Sequence, residues 1–61
     1  MNALKSARKE RGLSQEEIAE AIGVTQSAVH QWEAGKSQPT IEKLVLLAKI
    51  FCCKVDDLID K

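Results

Sequence analysis

No run of apolar residues in this 61-residue sequence approaches the roughly 20 needed to cross a bilayer. The N-terminus also lacks the apolar stretch and small-residue cleavage site of a secretion signal. A cytoplasmic, non-membrane protein is the expectation. Proline occurs once, and 44% apolar with 30% charged residues is a globular composition, which excludes a long linker or a disordered tail. An excess of charge is missing as well: nine Lys and Arg balance nine Asp and Glu. A broad basic stripe, the usual footprint of non-specific affinity for polyanions, is therefore not expected. Cysteine is confined to Cys52 and Cys53. Adjacent Cα atoms lie about 3.8 Å apart, below the usual disulfide minimum of about 4.4 Å, so both are expected as free thiols. Together with His30 they would supply three ligands of a four-ligand zinc site at no recognisable spacing, and ordinary packing is the simpler expectation. Nothing calls for a cofactor or a small-molecule effector.

The length allows one domain, residues 1–61, and a chain this short buries only about 60% of the surface its unfolded state exposes. The periodicity is helical throughout. Residues 3–11 read as a first helix with Leu4, Ala7, Arg8 and Arg11 on one face, capped by Gly12, and Leu13 folds back as core. Ser14 with Glu17 forms an S-x-x-E capping box for a second helix whose apolar face is Ile18, Ala19 and Ile22 and whose end is Gly23. Thr25 is the N-cap of a third helix running through Ala34, with Ala28, Val29 and Trp32 on one side and Ser27, His30 and Gln31 on the other. Two short helices joined this tightly through a glycine must cross steeply, as helix-turn-helix units do. Gly35 ends the third helix, and Lys36 to Pro39 form a polar loop. Thr40 then caps a fourth helix with Ile41, Leu44, Leu47, Ala48 and Phe51 facing inward. A last short helix over Lys54–Ile59, with a poor cap, is expected to close the core through Val55, Leu58 and Ile59.

The outward side of the third helix carries the most informative chemistry. A helix fits the DNA major groove, where amides and hydroxyls match base-edge donors and acceptors. Gln26, Ser27 and Gln31 supply those groups; the plain alternative, a solvated helix face, loses ground because of the two-helix geometry. Gln15, in the first turn of the second helix, is a candidate phosphate contact. Lys36 and Ser37, with the backbone N–H groups after Gly35, are candidates for a second. His30 can approach the backbone or a base edge, or simply stand exposed. Trp32 shares the apolar side with Val29 and reads as core rather than as a stacking platform. Arg8, on the inner side of the first helix, is expected to bridge to Glu33 and orient the reading helix, against the alternative of two independent surface charges.

The string GLSQEEIAEAIGVTQSAVHQWEAGKSQPT resembles the lambda-repressor/Cro-like (Cro/C1-type) helix-turn-helix family, and the likeness runs from about Leu4 to Ile59. LSQEEIA, the turn IGVT, VHQWEAGK, TIEKLVLLAKIF and VDDLI carry it; each is common alone and specific in combination. The resemblance implies an all-α, compact five-helix domain. Helices 2 and 3 would form the helix-turn-helix, with helix 3 in the major groove of double-stranded DNA and two subunits on a two-fold symmetric operator. By position it implies a phosphate contact at Gln15, base-facing residues at Gln26, Ser27 and Gln31, an internal ion pair of Arg8 with Glu33, and a phosphate-contacting loop at Lys36 and Ser37. A transcriptional regulator, most simply a repressor, is the implied function, and no separate C-terminal dimerisation or sensor domain is expected. Cys52 stands where Gly or Asn is usual and Lys54 where Ser or Thr would cap.

Other functions fit less well. His30 and Glu33 make an H-x-x-E spacing with no following histidine and no nucleophile–base pair, so an enzyme is not expected. A protein-binding or antitoxin-type adaptor of the same fold is the alternative. For assembly, Leu46 and Ile50 are expected to stand together on the outer side of the fourth helix, whereas the family likeness places a weak dimer contact around Cys53 to Val55.

Overall fold

In the structure, a computed structural model, residues 2–59 are described. They form α1 (Asn2–Glu10), α2 (Gln15–Ile22), α3 (Gln26–Ala34), α4 (Ile41–Phe51) and a 3₁₀ turn at Val55–Leu58, within Cα extents of 23 × 22 × 20 Å. The all-α class and the α2–α3 unit are as expected; the count of five helices is not. The last segment hydrogen-bonds three residues back, from Asp57 N–H to Lys54 O at 3.0 Å and from Ile59 N–H to Asp56 O at 3.3 Å. Four residues between an uncapped start and an extended Ile59 are too few to nucleate an α-helix. Lys54 has no acceptor with which to cap the turn; instead its N–H donates to the Asp57 carboxylate at 3.1 Å.

The helix starts follow local chemistry. Ser14 Oγ accepts from Glu17 N–H and the Glu17 carboxylate accepts from Ser14 N–H, each at 3.0 Å, completing the capping box of α2. Thr25 accepts from Ala28 N–H at 3.1 Å, and Thr40 from Lys43 N–H at 3.3 Å. At the corner between α2 and α3, Gly23 takes φ +74°, which lets Val24 N–H reach Ala19 O at 2.9 Å. A Cβ at Gly23 would meet no atom within 4 Å, so the demand there is for a left-handed backbone and not for space. The end of α4 makes the same turn without glycine: Cys52 has φ +53° and, among the described residues, is the non-glycine one with positive φ.

The core joins all elements: Leu4 from α1; Ile18, Ala19 and Ile22 from α2; Val29 and Trp32 from α3; Leu44, Leu47, Ala48 and Phe51 from α4; Leu58 from the last turn. Leu4, Val29, Leu47, Phe51 and Leu58 have no exposed surface. The apolar face of α4 departs from the expected wheel. Ile41 is 71% exposed because it sits in the first turn, at the rim of an open groove formed with Pro39, Thr40, Leu44 and Ile59. Ile50 packs against the core, so it makes no outer strip with Leu46, and Val45 and Leu46 are partly exposed instead. Ile59 is likewise partly exposed and leaves Leu58 to close the core.

Two cations tie helix ends across the fold. Arg11 donates to the carbonyl of Phe51, at the end of α4. Lys43 Nζ donates to the carbonyl of Ile22, the last residue of α2, at 3.2 Å. Both place positive charge where a helix presents unsatisfied carbonyls and the negative end of its dipole.

Candidate nucleic-acid interface

The outer surface of the helix-turn-helix begins from a rigid inner support. Val29 and Trp32 bury one side of α3, which turns Gln26, Ser27, His30 and Gln31 into solvent. Behind the helix, Glu33 is almost wholly buried and held by Arg8: Nε donates to Oε2 at 2.7 Å and Nη2 to Oε1 at 3.0 Å. Nη1 of the same guanidinium donates to Leu13 O at 2.8 Å, so one side chain fastens α1, the loop before α2, and α3.

The electrostatics of Glu33 follow from competition. Burial would raise its carboxyl, but hydrogen bonds from Arg8 and Gln15, with the charges of Arg8 and Lys5, outweigh that and hold it below the ordinary carboxylate range. The hydrogen bond to Glu33 outweighs burial at Arg8 and raises its already high value. The pair is therefore ionised on both sides at neutral pH. Elsewhere, burial pushes the Cys53 thiol up, with Asp57 adding to the effect, so it stays protonated.

Gln15 is half-buried at the start of α2, and its Nε2 donates to Glu33 Oε1 at 3.1 Å. One amide proton is thus used inward, which leaves the second for an outward acceptor. Lys36 is exposed and Ser37 half-buried in the loop after α3. Contrary to expectation, the first two backbone N–H groups after Gly35 are turned inward: Lys36 N–H donates to Gln31 O at 2.9 Å, and Ser37 N–H to the same oxygen at 3.5 Å. They close the C-terminus of α3, where Gly35 takes φ +78°. The Lys36 and Ser37 side chains are not held by these backbone bonds.

Sequence reasoning did not find the roles of Lys43, Arg11 and the inward half of Gln15. Their partners lie 21, 40 and 18 residues away, and no local pattern signals them. Among the described residues, no group of three or more His, Cys, Asp and Glu is placed to hold a metal ion. No described helix is long and apolar enough to cross a membrane.

A helix-turn-helix family model matches residues 4–58. The transcriptional activator BcrR of Enterococcus faecalis is 36% identical over 56 residues, which are 92% of this chain and 28% of BcrR. The cryptic phage CTXphi transcriptional repressor RstR of Vibrio cholerae is 34% identical over 56 residues, 92% of this chain and 50% of that protein. The chain thus spans half or less of these curated relatives. Among solved structures, the restriction-modification controller protein C.AhdI from Aeromonas hydrophila superimposes with a TM-score of 0.85 at 28% identity. That match covers 95% of this chain and 88% of the other. With the family pattern matched across nearly its whole length, the chain belongs to the HTH_3 helix-turn-helix family, the Cro/C1-like transcriptional regulators.

Proposed function

We propose that this chain is a sequence-specific regulator that binds double-stranded DNA through α3 in the major groove, most simply as a repressor acting in the cytoplasm on a two-fold symmetric operator. The observation that carries this reading is the two-sided character of α3. Its inner side is locked by Val29, Trp32 and the Glu33–Arg8 pair, while Gln26, Ser27 and Gln31 stand exposed together. Rigid backing with hydrogen-bonding groups in front is what base readout demands. Gln26, Ser27 and Gln31 read base edges, with His30 beside them, and Gln15, Lys36 and Ser37 hold phosphates on either flank. Zero net charge fits a protein whose binding leans on shape and base contacts.

Residues 1–61 act as one DNA-binding domain in this reading, and two copies meet weakly near the link between α4 and the 3₁₀ turn, around Cys53 to Val55. Operator half-sites one helical turn apart would hold two reading helices about 34–36 Å from each other. The groove beside the exposed Ile41 favours a second reading, a protein-binding or antitoxin-type adaptor of the same fold.

Selection of binding sites from a random duplex library tests the proposal. Enrichment of a two-fold symmetric sequence supports it, and absence of any enriched duplex overturns it in favour of the adaptor. On the selected operator, Gln31→Ala should lower affinity by about 1–3 kcal/mol and relax one base position. Gln15→Ala should weaken matched and mismatched duplexes by similar factors. If Gln31→Ala leaves base preference intact, the reading assignment is wrong.

A further inference from the structure

We propose that Lys43 is a positioning residue for DNA recognition: from the scaffold helix α4 it holds the corner of the helix-turn-helix and so sets how α3 is presented. This rests on the DNA-binding reading above. Ile22 ends α2 and precedes the Gly23–Thr25 turn, and its carbonyl has no helical partner further along the chain. Lys43 Nζ fills that vacancy from 21 residues away, at 3.2 Å in a partly buried setting. The Lys43 backbone is itself anchored, because its N–H is the one Thr40 caps. The ammonium therefore reaches from a fixed point on α4 to the place where the chain bends from α2 into α3. It also meets the negative end of the α2 dipole, so charge and hydrogen bond act in the same direction.

This tether complements the one at the other side of the unit. Arg8 and Gln15 grip Glu33 near the end of α3, while Lys43 grips the end of α2. With the Glu33 grip alone, the turn would keep its left-handed Gly23 but lose its polar link to α4. The angle of α3 would then be less sharply defined, with most of the buried core still in place. Base readout is sensitive to such a change because hydrogen bonds to base edges need aligned donors and acceptors.

The test compares Lys43→Met, which keeps an apolar stem of similar length without the donor, with Lys43→Arg, which keeps charge and donor. In the free protein, amide NMR shifts of Gly23, Val24 and Thr25 should move in Lys43→Met and return towards wild type in Lys43→Arg. On the duplex that wild type selects from a random library, Lys43→Met should reduce the matched-to-mismatched affinity ratio by about three- to tenfold, the factor one net hydrogen bond commands. The slope of log affinity against log salt should stay unchanged. A slope reduced by about one would make Lys43 a phosphate contact instead and overturn the proposal. An unchanged ratio in a folded Lys43→Met that still binds also overturns it and leaves the DNA-binding reading intact. Failure of wild type to select any duplex removes both.

Discussion

Cys52 is the residue whose backbone and side chain disagree. A left-handed φ of +53° is costly for a residue with a Cβ, by about 1–3 kcal/mol at sparsely populated positions. Glycine there would relieve the strain and return part of the gain as unfolded-state entropy. Cys52→Gly should therefore stabilise the domain by about 1 kcal/mol, which for this size corresponds to a rise of roughly 4–8 °C in thermal midpoint. No rise in a thermal melt would mean that the strain is absent. Arg8 presents the opposite case. Removing it leaves Glu33 buried without its counter-charge, and breaking a buried pair this way costs about 3–5 kcal/mol. A domain of this length holds roughly 3–9 kcal/mol in all, so Arg8→Ala should be largely unfolded under mild denaturant, whereas the exposed Lys9→Ala should not. A double-mutant cycle with Glu33→Gln that finds no coupling would refute the assignment.

At the scale of the element, α4 shows how a helix end escapes its own pattern. Leu47 has no exposed surface, and Leu47→Ala should cost about 2–5 kcal/mol through lost burial and a cavity. Ile41 belongs to the same apolar series, yet it stands 71% exposed at the groove rim, and Ile41→Thr should stay within about 0.5 kcal/mol of wild type in urea unfolding. Comparable losses for the two would place Ile41 back in the core. The last segment follows a similar logic. Leu58 alone among its residues is fully buried, and four residues suffice to deliver it. A 3₁₀ turn, shorter in sequence than any stable helix, does that work.

For the whole molecule, acid sensitivity follows from the buried pair. Glu33 ionises more readily in the folded chain than in the unfolded one. Its contribution is therefore complete above the unfolded glutamate value of about 4.3 and is lost as pH falls through the lower folded value. Urea melts between pH 6 and pH 3 should show a steeper loss for wild type than for Glu33→Gln, which lacks this titration; equal slopes would contradict it. Assembly is tested at the same scale. Sedimentation should show a weak, concentration-dependent dimer, and two subunits should bind the selected symmetric operator cooperatively. A strict monomer that occupies two half-sites independently would end the dimer proposal while leaving DNA binding in place.

Much of this protein was determined locally and was legible in its sequence. The Ser14–Glu17 capping box, the Thr25 and Thr40 caps, and Gly23 and Gly35 each act within a few residues of themselves, so they place α2, α3 and α4 without knowledge of the fold. Helical periodicity then assigns Val29 and Trp32 to the core and turns Gln26, Ser27 and Gln31 outward. Only the tertiary structure decided the distant polar partners. Arg11 to Phe51, Lys43 to Ile22 and Gln15 to Glu33 join residues that are neighbours only after the helices pack. It also decided the exposure of Ile41, since a helical wheel records the direction of a side chain and not whether another element reaches that far along the axis. The inward residue of the last segment was hidden for the same reason. Which of its apolar residues closes the core, Leu58 fully buried and Ile59 partly exposed, is settled only once the other four elements are assembled.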